Sequence, residues 1–318
     1  MSACRPVPET GCTIDWVVIG DGERSASGSA VTLAHATDVV FGDSAFRWRL
    51  GLRPLDLADW IEGGPDGDEA VAQKAVLVEE HHDTVFATIE GIEAESCEVA
   101  GLIIEQLRSR WPDRHRDVAI DPDLHPLDAI GRLVPEDLVL MVERDGRLVF
   151  GGGSVCFPNR WDLRSKLGLT MAEVHAPVAE LNHQLEGPID RFLGRLTPER
   201  SFWRLGWGIL DTDDWYTPID GTCPPRQTHP EPASMFLRVE RETLRRFPRT
   251  RAVLFTIGTS VAPLSTVAVD VDLSNRLAGA LEHMPPSVRA YKDLAGTANA
   301  LVAHFRDRLA MGEDIRQT

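Results

Sequence analysis

Residues 138–150 read Leu-Val-Leu-Met-Val-Glu-Arg-Asp-Gly-Arg-Leu-Val-Phe, and this stretch decides the fold class. Leu138 to Glu143 is apolar or alternating, Asp145-Gly146 supplies the pair that a type I′ turn demands, and Leu148 to Phe150 begins a return strand. So short a connection implies antiparallel pairing. A second β region is expected from Ala252 to Ile257 together with Val267 to Val271, both rich in β-branched residues and separated by Pro263.

Around these hairpins the sequence reads as helix. Gly64-Pro-Asp-Gly-Asp-Glu69 is a turn feeding a helix, and residues 68–90 contain no glycine or proline. A second helix over 92–109 places Val99, Leu102, Ile103, Gln106 and Leu107 near one face, and Ala298 to Met311 is helical again. Helices cluster before and between the hairpins instead of alternating with single strands. The expectation is therefore an α+β protein with an antiparallel sheet, not a doubly wound parallel one. No repeat, low-complexity tract or linker interrupts the chain, which favours one domain with helical elaborations over two.

Composition narrows the function. The 318 residues carry 33 basic and 49 acidic side chains, a net charge of −16, and 43% hydrophobic residues. Such a surface repels phosphate backbones, so no nucleic-acid partner is expected. No run approaches the roughly 18 apolar residues of a membrane span, and Met1 to Trp16 lacks a signal peptide's apolar core. A cytoplasmic protein without a membrane partner is expected. Cys4, Cys12, Cys97, Cys156 and Cys223 are scattered and form no C-x-x-C pair, which supports neither a disulfide framework nor a zinc or iron–sulfur site. Gly20 to Ser29 follows the short apolar run Val17 to Ile19, but Ser25 stands where a dinucleotide-binding loop needs its third glycine. A loop after a strand is the better reading.

Three segments put polar residues where a simple core would want apolar ones. In the first, Thr170 and Glu173 form a capping box, Leu169 and Val174 fit a hydrophobic staple, and Pro177 ends the helix after about a turn and a half. His175 then lies on the side of Met171 and Val174. It is either a core histidine bonded to a backbone carbonyl or a haem or metal ligand. In the second, Met235 to Phe247 reads as a helix whose apolar stripe of Phe236, Leu237, Leu244 and Phe247 encloses Glu240, with Arg238 and Arg241 off the stripe. A carboxylate there needs an arginine partner or has a functional role, as a proton relay or a site for a substrate amine. The third, Phe202-Trp-Arg-Leu-Gly-Trp207, brackets an arginine with aromatic rings that could line a flat cofactor, but capping the core is the better reading of these residues alone. Asp121, Asp123 and His125 sit in a proline-stiffened loop without a second ligand cluster, and His81-His82 reads as surface. No nucleophile elbow or P-loop occurs.

Several motifs in one order resemble the alpha subunit of haem-dependent oxidative N-demethylase and its relatives. They are Gly51-Leu-Arg-Pro-Leu-Asp56 with Trp60; Val134-Pro-Glu-Asp-Leu138; Cys156-Phe-Pro-Asn-Arg-Trp161; Lys166-Leu-Gly168; Val174-His-Ala-Pro-Val178; Arg204 with Trp207; Leu237 to Leu244; Leu254-Phe-Thr-Ile257; and Tyr291-Lys292. The resemblance runs from about residue 40 to about residue 305. It implies a PAS-like haem-binding domain over 40–305, an N-terminal extension over 1–39 with an added strand and loop, and a C-terminal tail over 306–318.

The resemblance further implies haem b in a pocket between the sheet and its helices, with His175 as the proximal iron ligand. Glu240 and Arg204 become catalytic candidates, Glu240 holding a substrate ammonium or relaying protons. Arg160, Lys166, Trp207 and Arg238 become cofactor-binding candidates, the basic ones opposite the propionates. The implied activity is that of a haem-dependent oxidase or monooxygenase that activates O2 to oxidise an amine or other nitrogen-containing small molecule. Electrons would come from a separate flavin and iron–sulfur reductase. The alternative is a non-enzymatic haem sensor or carrier, because a fold does not fix a function. The chain departs from the family pattern at Gly258 and Ser260, where an arginine and a tyrosine are expected, and at Gly206, where an asparagine is expected. Losing an arginine removes a fixed charge and a five-donor fork, so a larger or differently charged substrate is expected.

Overall fold

The hairpin forms as the turn chemistry demands: Asp145 and Gly146 both adopt positive φ, at 51° and 74°. The computed structural model of the chain describes residues 50–176, 179–219, 227 and 230–316. The 1–39 extension, the Gly20–Ser29 loop, Cys4, Cys12, Pro177 and Cys223 lie outside the described residues.

In chain order the elements are β1 (Arg53–Leu55), α1 (Asp68–Val85), β2 (Phe86–Thr88), α2 (Glu93–Arg110), α3 (Pro112–His115), α4 (Pro126–Gly131), β3 (Asp137–Arg144) and β4 (Arg147–Ser154). After them come α5 (Met171–Val174), α6 (Ala179–Arg195), β5 (Ser201–Leu210), β6 (Phe236–Arg246), β7 (Val253–Pro263), α7 (Leu264–Val267), α8 (Val271–His283), α9 (Pro286–Tyr291) and α10 (Ala298–Arg316). The strands form one seven-stranded sheet in the order β1-β5-β6-β7-β3-β4-β2. Every pairing is antiparallel, so the chain is α+β as the hairpin reading expects.

Side chains alternate between the two faces of a strand, and the apolar clusters sort accordingly. The back face packs in two places. Leu138, Leu140, Val142 and Leu254 meet α2 and α4 through Val99, Ile103, Leu107, Leu127 and Ile130. Leu205, Trp207, Ile209, Leu237 and Val239 meet the C-terminal helices through Leu277, Leu281, Val288, Leu301 and Phe305. On the front face Val139, Met141, Phe150, Leu244, Phe255 and Ile257 pack against Met171, Val174, Ile189 and Leu193 from α5 and α6. Arg246 on β6 also ties this layer down, donating from Nη2 to the Leu193 carbonyl at 2.6 Å.

Three expectations need correction. Residues 236–246 form the strand β6, paired along its length with β5 and β7, and not a helix. The apolar residues fit a helical stripe only because charges occupy the inward positions of the strand. Second, β7 pairs with β6 and β3 and not with 267–271; Val267 lies in α7, and Val271 opens α8 behind the Asp270 N-cap. Third, the helix from residue 68 ends at Val85, because Phe86–Thr88 adds to the sheet edge against the glycines of β4. A Cβ on Gly152 would come within 2.7 Å of Thr88 Cγ2, so only glycine lets this strand close. The C-terminal helix expected over 298–311 is present as α10, which runs on to Arg316. Among the described residues no helix is long and apolar enough to cross a membrane.

Candidate functional site

The site is built from the short helix α5 outward. Glu173 Oε2 accepts from the Thr170 backbone N–H at 2.8 Å and Thr170 Oγ1 accepts from the Glu173 N–H at 3.4 Å, a reciprocal capping box. The single turn ends at His175, whose side chain is fully buried (0% exposed). His175 Nδ1 donates to the Met171 carbonyl at 2.6 Å. A carbonyl can only accept, so a neutral His175 carries its lone pair on Nε2, the tautomer that metal-ligating histidines adopt.

Facing this layer, β6 presents Arg238, Glu240 and Glu242 on the front of the sheet, all buried. Arg204 on β5 lies directly opposite Glu242 and donates to its Oε2 from Nε at 2.9 Å and Nη2 at 2.5 Å. Two residues along, Arg238 Nε donates to Glu240 Oε1 at 2.6 Å. The arginine partner that a buried Glu240 requires is therefore its own strand neighbour. Glu240 and Arg238 have Gly206 and Gly208 as their partners on β5, so no side chain rises beside this pair from that strand. A Cβ on Gly208 would meet Asn159 Nδ2 only at 4.0 Å.

The far wall is the Cys156–Arg160 turn. Arg238 Nη2 donates to the Phe157 carbonyl at 2.5 Å and Nη1 to the Trp215 carbonyl at 3.3 Å. Arg160 takes a left-handed φ of 57° and its Nη2 lies 3.3 Å from Asp211. Cys156 is no nucleophile: burial pushes its thiol pKa up to about 12. Lys166, in the turn before α5, is buried, and its Nζ has no hydrogen-bond or ion-pair partner among the described residues.

The structure thus places His175, Arg204, Arg238 and Glu240 on the front side of the sheet. Trp207 is not with them. It pairs with Val239 and packs into the back cluster, where Lys292 Nζ lies 5.2 Å from its ring and donates to its carbonyl at 2.6 Å. Trp203, another odd-numbered residue of β5, packs against the same cluster, so the aromatic run does not bracket Arg204 in one plane. Gly258 and Ser260 also belong to the back, opposite Arg241 and Val239, while Gly206 neighbours Glu240 on the front.

Sequence reading missed Glu242, Lys74, Asp137 and Glu136. Lys74 is fully buried and donates to the carbonyls of Val134 at 3.1 Å and Glu136 at 2.6 Å. Asp137 accepts from the backbone N–H groups of Cys156 at 2.8 Å and Phe157 at 2.9 Å. Glu136, on the back, accepts from the Glu62 N–H at 2.8 Å, and burial pushes its pKa up to about 7. The one signal available was the charged pair Glu136-Asp137 at the onset of a buried strand.

The remaining candidates separate cleanly. His82 Nε2 lies 2.8 Å from Asp128 Oδ2, and Arg132 grips the same carboxylate from the next turn. Burial raises the Asp128 pKa, but these two partners more than offset it and hold it below the usual range. Asp121 and Asp123 are exposed, and among the described residues no three His, Cys, Asp or Glu side chains converge as a metal site. Haem, whose ring supplies most of the iron's ligands, asks the protein for an axial donor. The donor set fits that group: a buried imidazole of fixed tautomer beside an apolar front layer. A family model described as "Haem-dependent oxidative N-demethylase, alpha subunit-like" matches residues 51–302, a span that takes in every one of these side chains. The chain belongs to the haem-dependent oxidative N-demethylase alpha-subunit-like family.

Proposed function

We propose that this chain is a cytoplasmic haem b oxidoreductase that uses O2 to oxidise an amine or another nitrogen-containing small molecule, with electrons delivered by a separate flavin and iron–sulfur partner. The observation that carries this reading is the buried His175, its Nδ1 committed to Met171, opposite a sheet face that keeps two ion pairs inside the protein. Spatially the five longest strands run β4-β3-β7-β6-β5, all antiparallel, with α5 and α6 inserted between β4 and β5 in sequence. That order supports the PAS-like reading of the resemblance.

In this reading His175 Nε2 holds the iron, and Lys166 and Arg160 meet the anionic edge of the macrocycle. When bound, haem supplies the iron at which dioxygen is activated for oxidation of the substrate. Arg238 orients Glu240, which binds the substrate's ammonium group or holds its proton. A protonated amine beside a carboxylate lowers the cost of burying each. Gly208 leaves room beside Arg238, and Gly206 brings no side chain beside Glu240, where the family pattern has an asparagine. Arg204 and Glu242 keep the inner end of the strip neutral. Trp207 lies behind the sheet and supports the strip from the back without touching the cofactor.

The test is turnover. Purified protein loaded with haem, given reductant and O2, is offered a panel of primary, secondary and tertiary amines. One product per substrate consumed supports the enzyme. Reversible gas binding without turnover across the panel supports a sensor or carrier instead.

A further inference from the structure

The turn that walls the front face is held from behind by a buried ion pair. Asp137, 1% exposed at the start of β3, accepts two consecutive backbone N–H groups, those of Cys156 and Phe157. Lys74 Nζ stands 3.8 Å from the same carboxylate while donating to the carbonyls of Val134 and Glu136. An unpaired carboxylate this deep would be driven to take up a proton. Lys74 and the two N–H groups oppose that tendency, although burial still leaves the Asp137 pKa raised.

Phe157 is fixed on both sides, because its N–H goes to Asp137 and its carbonyl to Arg238 Nη2. The next residue accepts in turn: the Pro158 carbonyl receives Thr217 Oγ1 at 2.9 Å and the Thr217 N–H at 3.2 Å. Arg160 closes the turn, its N–H on the Thr217 carbonyl at 2.7 Å and its φ at 57°. A non-glycine residue at such a φ is costly and persists only where its surroundings over-determine it. Arg238 of the front strip and Arg160 of the turn itself thus depend on one short segment.

We propose that Asp137, with Lys74 behind it, is a positioning residue for the front site. It fixes the Cys156–Arg160 turn and through that turn the placement of Arg238 and Arg160. The inference rests on the reading of the front face as the haem and substrate side. Asp137 touches neither ligand. Its effect passes through the Phe157 peptide groups.

Asp137→Asn keeps the shape but offers a single oxygen acceptor, so one of the two N–H groups loses its partner. Haem b is titrated into the full-length apoprotein. The variant is expected to bind about tenfold more weakly, the low end of what outer-shell changes cost at metal sites. The Soret maximum should stay unchanged, because His175 is untouched. Arg238→Lys should weaken binding too, and the double variant should be no weaker than the worse single one. Leu281→Val, in the back cluster, serves as a destabilised control with wild-type affinity. Wild-type haem affinity in Asp137→Asn, or losses that multiply in the double variant, would overturn the proposal.

If the wild-type chain takes up no haem, the front-face reading fails, and the same cycle run on urea midpoints decides the coupling. Losses smaller than additive support positioning, and additive losses overturn it. Should Asp137→Asn not fold, Lys74→Met, which spares both of Asp137's acceptors, is read in the same two ways.

Discussion

The two faces of this sheet are built to different rules. Behind it, Leu205, Trp207, Ile209, Leu237 and Val239 interlock with the C-terminal helices as an ordinary apolar core. In front, the same two strands bury Arg204, Glu242, Arg238 and Glu240 as ion pairs. Well-packed apolar residues would hold the front at least as well, since a buried pair rarely gains more than its desolvation costs. The proposed function gives this polar strip a role beyond stability. Under the proposed function the front is the working face and the back its support.

The largest break in this comparison comes from separating one pair. Arg204→Leu leaves Glu242 charged and buried, and should destabilise the fold by about 3–5 kcal/mol, read as a lower urea midpoint. Adding Glu242→Leu should recover most of that stability without restoring haem binding. On the back, Leu281→Ala empties a fully buried site (0% exposed) and should cost about 2–5 kcal/mol while leaving haem stoichiometry intact. If the back-face variant lost haem as readily as the front-face one, the division of labour would be wrong.

A pH profile sharpens the comparison, because the back face holds a titrating group of its own. Folded Glu136 keeps its proton up to about pH 7, whereas the ordinary value is 4.5. The folded state therefore binds more protons than the unfolded one across that window, and stability falls as pH rises through it, by roughly 3 kcal/mol for this one group. Arg241, which donates to the Asp59 carbonyl, and Lys74 both oppose the shift that burial causes. Glu136→Gln should flatten the decline between pH 5 and 8 in thermal melts; an unchanged slope would assign it to other groups. The smallest effect is expected at Thr170→Ala, which opens the capping box below His175 and should cost about 1 kcal/mol of stability. Its haem should also dissociate faster than wild type.

What the sequence showed and what it hid follow the same division. The β3–β4 hairpin, α2 and the α5 capping box rest on residues close in the chain, and all were legible. β6 was not, because its inward positions are charged. Phe236, Leu237, Leu244 and Phe247 then mimic a helical stripe, although the β-branched Val239 and Thr243 pointed to a strand. β2 has only three residues and forms because β4's glycines leave room for it. Glu240 was legible as an anomaly, and its partner Arg238 emerged only once the strand was known. Lys74 and Asp137 lie far apart in the chain, and no local pattern links them. Nor does the sequence alone separate Trp207 from Arg204: in a helix or loop they could share a side, but three residues along a strand they cannot.

The most direct test of the front-face assignment is the absorption spectrum of His175→Ala beside wild type after both are offered equal haem b. Wild type should bind one haem per chain with a Soret band, and the variant should lose stoichiometric haem or show a displaced band that added imidazole restores. Full haem content with an unchanged Soret band in His175→Ala would contradict the account.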